Sequence, residues 1–205
     1  MPIAFPITLP FSTKTSTIVT FMPQAAVSRK ESSYSYVSQM QKWAGQRMGA
    51  RISVPPMARA DAEEWVASLL SLNGKEGSFY LGDPANKTPR GSPSGTPLVK
   101  GASQTGQDLI TDGWTISITN ILRKGDWIQI GTGSSSRLHK MLLNANSDGL
   151  GESTLTLWPD LRAPADNAAI ITSSPVGVFE LVNNFEWSVD VMHKYGFEFA
   201  AQERI

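Results

Sequence analysis

The sequence predicts a mainly β protein (α+β) with one amphipathic helix, and three observations lead to this class. Short runs in which apolar and polar residues alternate recur along most of the chain, which is typical of half-buried strands. Only one segment, residues 60–73, has the 3.6-residue periodicity of a helix. Stretches rich in Gly, Pro, Ser and Asn separate these runs, as expected for a β-sandwich or a small barrel.

The composition excludes several classes of protein. The chain has 205 residues, 40% of them hydrophobic and six of them Trp, which is enough to form a buried core. Its 18 basic and 18 acidic residues balance, so neither nucleic-acid sequence recognition nor attachment to an anionic membrane is expected. No long apolar run predicts membrane insertion, and the absence of Cys excludes disulfides and thiolate chemistry. The proline-interrupted start, which lacks a basic region, does not resemble a signal peptide.

The first third of the chain predicts three strands and then the helix. Residues 15–22 form a β-branched run, residues 32–39 alternate Tyr with Ser, and residues 49–56 form a strand that two prolines end. The helix follows at residues 60–73, with acidic residues in its first turn and Asn-Gly at its end. Its buried stripe is predicted to consist of Ala62, Trp65, Leu69 and Leu72.

The middle of the chain predicts a loop and then a small all-β unit. A short strand at residues 79–81 leads into residues 83–108, whose composition is typical of a linker or a long surface loop. Alternation then returns in six predicted strands, at residues 113–120, 124–131, 137–143, 153–159, 168–173 and 177–184.

The end of the chain predicts a hairpin. One strand carries Phe185, Trp187, Val189 and Val191, and the return strand carries Tyr195, Phe197 and Phe199. Because an isolated hairpin is marginal in water, we expect it to pack on the N-terminal strands and helix. Residues 1–82 and 183–205 are therefore predicted to form one domain, residues 83–108 a linker, and residues 109–182 an inserted barrel.

The sequence shows no catalytic, metal-binding or cofactor-binding motif. The two histidines, His139 and His193, have no partner at ligand spacing and are predicted to be exposed in a strand and a turn. The acidic residues near turns, such as Asp148 and Asp166, are expected to bind local backbone amides. We therefore predict that the protein is not an enzyme and uses no cofactor.

Two tryptophans leave an alternative open. Trp127 and Ile128 are adjacent, so their strand is either buried on both faces or presented to a partner. If Trp127 and Trp158 were exposed, they could form a platform for sugars, and the chain would be a carbohydrate-binding module or a depolymerase-associated protein that recognises a host surface glycan.

Several stretches resemble the distal tail proteins of long-tailed bacteriophages. They are "GSFYLGDPANKTPRG" (77–91), "GDWIQIG" (125–131), residues 137–162, "GVFELVNN" (177–184) and the chain end "WSVDVMHKYGFEFAAQE". The resemblance implies a β-sandwich or split-barrel core domain with a helix. It also implies an outward-pointing second module that is OB-like or galectin-like.

The resemblance further implies a structural role in the virion. Proteins of this family form a ring, typically a homohexamer, at the tail tip, where they join the tail-tube protein to hub, baseplate and fibre proteins. Such a subunit would be synthesised in the host cytoplasm. From their apolar and β-branched character at potential edges, the predicted interface residues are Ile18, Val19, Phe21, Phe185, Trp187, Val189, Phe197 and Phe199.

Overall fold

The computed structural model describes residues 3–11, 17–190 and 193–205, and within them the chain is 49% strand and 8% helical. The predicted class, mainly β with sandwich or barrel sheets and one α-helix, is confirmed. The elements are β1 (Ile7–Thr8), β2 (Ile18–Glu31), β3 (Ser38–Met57), α1 (Arg59–Ser71), β4 (Phe79–Leu81), β5 (Gly95–Val99), β6 (Thr105–Trp114), β7 (Trp127–Ile130), β8 (Arg137–Met141), β9 (Ser153–Arg162), β10 (Ile170–Ile171), β11 (Gly177–Leu181), β12 (Glu186–Val189) and β13 (Tyr195–Glu203).

The first sheet joins both ends of the chain in the order β1-β4-β11-β13-β3-β2, with β12 beside β13. Ala50 pairs with both Phe21 and Ala201, so these three residues share one face of the sheet. That face is apolar, whereas the opposite face carries pairs such as Arg51 and Glu198, whose charged atoms lie 3.2 Å apart. The sheet is therefore covered on one side and faces solvent on the other.

Helix α1 lies on the apolar face, as the sequence predicts. The predicted stripe is buried, and Trp65 contacts Phe11 at 5.2 Å and Phe197 at 5.8 Å between ring centroids. After the helix, Asn73 and Gly74 take positive φ angles, which turn the chain towards β4. Packing on the sheet therefore stabilises the helix. Capping does not, because the N-cap residue, Ala58, makes no side-chain hydrogen bond to the first turn.

The second sheet has the order β10-β7-β8-β9-β6-β5 and closes almost into a barrel. Its two edges meet through a bridge between Leu98 and Ala169, and Val99 N donates to the Ala168 carbonyl at 3.0 Å. The barrel encloses a second apolar cluster, which includes Leu109, Ile128 and Leu155.

The prediction of a linker over residues 83–108 is wrong. This segment contains β5 and the first part of β6, because Val99 is fully buried in the barrel despite its Gly- and Pro-rich surroundings. Two of its four glycines, Gly91 and Gly95, serve close packing: a Cβ on Gly95 would lie 2.3 Å from the Gly113 carbonyl oxygen. The predicted boundary at residue 183, where the chain re-enters the first domain, is also too late. Strand β11 already pairs with β4 and β13 in the first sheet.

Two predicted strands are turns. Residues 32–37 form the tip between β2 and β3, where Tyr34 is fully exposed and Tyr36 has a φ of 53°. The run 113–120 leaves β6 at Trp114, and Ile116 is exposed beyond it. In both segments the apolar and polar residues alternate, but no partner strand in the described part of the chain pairs with the turn residues and buries their apolar face.

The strand predicted at 49–56 extends further in both directions, as β3, and contains both prolines. Pro55 and Pro56 lie where the register between β3 and β13 shifts, and beyond Ser53, the last residue of β3 that pairs with β2. A missing N–H is tolerated there because the ladder is already interrupted.

The barrel packs on the same face of the first sheet as the helix. Trp127 and Leu138 belong to the first apolar cluster, and the rings of Phe21 and Trp127 lie 5.3 Å apart. Ile128, on the other side of the same strand, belongs to the second cluster. Of the two alternatives for this strand, burial on both faces is therefore correct.

Candidate interaction surface

The most exposed regular structure is the distal part of the β2–β3 hairpin, residues 23–45, which we call the arm. Its pairing continues to Glu31 and Ser38, and only Ser28 among its residues is partly buried. Eight residues of paired strand at ~3.3 Å each carry the tip on the order of 25 Å away from the body. The arm therefore projects as a two-stranded ribbon with both faces in solvent.

The arm is rich in large apolar side chains for a solvated ribbon. Met40 is 74% exposed and Trp43 is 51% exposed. Val27 pairs with Lys42 and Arg29 with Met40, so Val27 and Met40 lie on the same face. The remaining large apolar side chains of the arm, all exposed, are Tyr34, Tyr36 and Val37. Exposed apolar surface of this density on one projecting element is typical of an interaction site.

The base of the arm is bound to the barrel. Gln46 is buried; its Oε1 accepts a hydrogen bond from Asp160 N at 2.9 Å, and its carbonyl accepts one from Arg162. Lys42 Nζ lies 3.5 Å from Asp160 Oδ2. These contacts with β9 therefore fix the orientation of the arm relative to the first sheet.

The predicted interface residues of β2 divide between surface and core. Ile18 is 64% exposed, whereas Val19 and Phe21 are partly buried and pack against the first apolar cluster. Strand β2 is the last strand of its sheet in the part of the chain that the structure describes, so its outer edge is open. Ile18 and this edge remain available to a partner.

The predicted interface residues of the C-terminal hairpin also divide. Trp187 and Val189 are about half exposed on the edge strand β12, and Phe185 stacks on Trp187 at 5.5 Å. Phe197 and Phe199 are wrong as interface residues, because β13 lies inside the sheet and buries both beside Trp65. Val191, predicted on the first strand of the hairpin but not in the interface, lies outside the described residues.

The two tryptophans of the sugar-platform alternative do not form an exposed platform. Trp127 is buried, donates its indole N–H to Asp83 Oδ2 at 3.0 Å, and has Lys140 Nζ 4.0 Å above its ring. Trp158 is partly buried and packs against the first cluster. Both side chains belong to the contact between barrel and sheet.

One titratable side chain, His139, is predicted from the sequence to be exposed but is buried in the structure. His193 lies exposed at a turn, as predicted, but His139 is buried, and burial lowers its pKa to about 4. Asp148 accepts a local backbone hydrogen bond from Leu150 N, as expected, whereas Asp166 accepts one from Gly101 N, 65 residues away in the chain. Among the described residues, no group of three or more His, Cys, Asp or Glu could hold a metal ion.

No protein-family model matches the chain, and comparison with curated proteins finds no similar sequence. Within residues 3–11, 17–190 and 193–205, α1 is the single α-helix, and it is neither long nor apolar enough to cross a membrane.

Proposed function

We propose that this protein is a structural subunit of the tail tip of a long-tailed bacteriophage. It forms a closed ring, of about six copies, that joins the tail tube to the hub, baseplate and fibres. The sequence resemblance described above supports this role. The observation that carries it is the arm, which projects from the body beyond its base and exposes apolar side chains to solvent.

The arm suits docking on a second copy of the chain. A two-stranded ribbon is marginally stable in water unless a third strand or another surface covers it. A ring uses heterologous contacts, in which one patch of each subunit binds a different patch of the next. The arm supplies the first patch, and strand β12, on the opposite side of the sheet from β2, supplies a candidate for the second.

The charge of the chain suits repeated contact between identical subunits. Equal numbers of acidic and basic residues give a formal net charge of zero, so copies do not repel one another strongly. The arm itself carries both signs, with Arg29 and Glu31 paired at 2.6 Å. In this role the subunit is not an enzyme, and its partners are itself, the tube protein and the hub and fibre proteins.

The arm is tested by Trp43→Glu, with Leu150→Glu as the matched control. Both side chains are exposed, but Leu150 lies on a barrel loop away from the arm. We expect light scattering and negative-stain imaging to find rings of wild type and Leu150→Glu, and single subunits of Trp43→Glu with unchanged thermal stability. Rings that survive Trp43→Glu would rule the arm out of the interface.

The second patch is tested by Trp187→Arg. Because Trp187 is half exposed, the substitution leaves folding intact while placing a charge in the proposed contact. We expect the proportion of rings in solution to fall at least tenfold. If ring formation is unchanged, β12 does not belong to the interface.

A further inference from the structure

A cavity of about 230 Å³ lies where the barrel meets the C-terminal end of β13 in the first sheet. Strands β8 and β9 are paired at Lys140–Trp158 and Met141–Leu157, and the cavity lies beyond this pairing. Its apolar wall includes Ile130 and Leu161, and its polar wall includes Arg137, His139, Arg162 and Glu203. The site already described, the arm, does not use this cavity.

Two guanidinium groups line the cavity, and within the part of the chain that the structure describes neither is in direct hydrogen-bond contact with a carboxylate. Arg137 donates to the Arg204 carbonyl, and Arg162 donates to the Gln46 carbonyl. Both acceptors are neutral, and among the described residues neither guanidinium has a carboxylate within hydrogen-bond distance. The nearest is Glu203, whose Oε2 lies 4.0 Å from Arg162 Nη1. Burial, with a smaller contribution from Arg162, lowers the pKa of Arg137.

Of the two carboxylates at the cavity, Glu203 lies near both arginines and Asp160 is engaged by Lys42. Glu203 is buried, which raises its pKa, although it accepts a hydrogen bond from Met48 N at 3.3 Å and lies near both arginines. Asp160 lies 3.5 Å from Lys42 and so has its own cation. The balance of charge around the cavity is therefore positive.

His139 adds a further site for positive charge. Its Nδ1 lies 3.0 Å from the Pro159 carbonyl oxygen, which can only accept, so Nδ1 carries the hydrogen of the neutral ring. Nε2 is then the nitrogen that takes up a second proton. Both arginines oppose that protonation, and an anion beside them would favour it.

We propose that this cavity binds a small anion through its carboxylate or phosphate group, held by Arg137 and Arg162. Guanidinium groups bind both kinds of oxyanion through paired N–H donors. The volume limits the ligand to about the size of a single small acid or an acidic sugar unit. The apolar wall then contacts the uncharged part of that ligand. This inference does not depend on the proposed ring.

The test is calorimetric titration of the intact chain at constant ionic strength with inorganic phosphate, glucuronate and, as a neutral control, glucose. Phosphate and glucuronate distinguish the two oxyanions, and we expect at least one of them to bind saturably while glucose does not. Arg137→Gln and Arg162→Gln are expected to weaken that binding at least tenfold. Arg47→Gln, which alters an arginine that donates to Gln24 and does not line the cavity, is expected to leave it unchanged.

A variant that binds the anion more tightly than wild type cannot be explained by loss of folding. Glu203→Gln removes the competing carboxylate and keeps an oxygen that can accept from Met48 N, so we expect the preferred anion to bind several-fold more tightly. Binding should also strengthen as the pH falls, and His139→Gln should reduce that dependence. Equal heats for glucose and the anions, or unchanged affinity in Glu203→Gln and both arginine variants, would overturn the proposal.

Discussion

At the scale of single residues, His139 differs most from what its sequence position indicates. It lies in β8 between Leu138 and Lys140. The barrel buries it against Pro159, and this burial lowers its pKa from 6.5 to about 4. The buried ring is therefore neutral in the folded protein at neutral pH. Unfolding returns it to water, where it takes up a proton more readily.

This difference predicts a pH dependence of stability. Between pH 6.5 and about 4 the unfolded chain binds the proton and the folded chain does not, so the free energy of unfolding falls as the pH falls. A shift of this size corresponds to about 3 kcal/mol for His139. Glu203 acts in the opposite sense: its raised pKa gives stability that is present at low pH and is lost as the pH rises through the folded pKa.

The contribution of His139 is isolated by denaturant titrations of wild type and His139→Gln at several pH values. We expect the difference in unfolding free energy between them to change by about 3 kcal/mol over this window. His193→Gln, which alters an exposed turn histidine, is the matched control substitution. A constant difference for His139→Gln would mean that its folded pKa is ordinary.

At the scale of elements, the C-terminal hairpin combines two environments. Strand β13 lies between β3 and β11 and buries alternate side chains, whereas β12 pairs with β13 alone and is exposed along its length. Apolar side chains on β13 therefore stabilise the core, whereas those on β12 lie on the surface.

Alanine substitutions measure this contrast. We expect Phe199→Ala to lower the free energy of unfolding by about 3–5 kcal/mol, because it leaves a cavity beside Trp65 and Phe79. Val189→Ala, on β12, should change it by about 0.5 kcal/mol or less. Denaturant titration of subunits at low protein concentration makes the comparison, and similar losses for both variants would contradict the assignment of β12 to the surface.

At the scale of the whole molecule, barrel and sheet share a core. Trp127 and Leu138 of the barrel pack in the first apolar cluster, and Gln46 and Arg162 join the arm base to β9. Because separating the two sheets would expose these side chains, we expect them to unfold together.

Calorimetry tests this coupling. We expect one transition, with the calorimetric enthalpy close to the van't Hoff enthalpy, for the single subunit. Leu138→Ala should lower its midpoint without splitting it, since Leu138 is buried between the sheets. Two resolved transitions in wild type would show that barrel and sheet are independent units.

Several features follow from local sequence alone. The helix at Arg59–Ser71 is predicted because Ala62, Trp65, Leu69 and Leu72 repeat at helical spacing, and that repeat needs no knowledge of the partner. The strands predicted at 124–131 and 137–143 from apolar–polar alternation contain β7 and β8, which are shorter.

The arm and the basic cavity were decided by the tertiary structure. Residues 32–39 and 113–120 alternate as strands do, but alternation does not say whether a partner strand lies alongside. The polar cluster Glu31–Ser33 is the one local signal of the arm's turn. The cavity joins Arg137, Arg162 and Glu203 from three strands far apart in the chain, so no spacing in the sequence could place them together. Local periodicity thus predicted the helix and many of the strands, whereas long-range pairing determined which alternating segments become strands and which side chains are buried, exposed or assembled into a site.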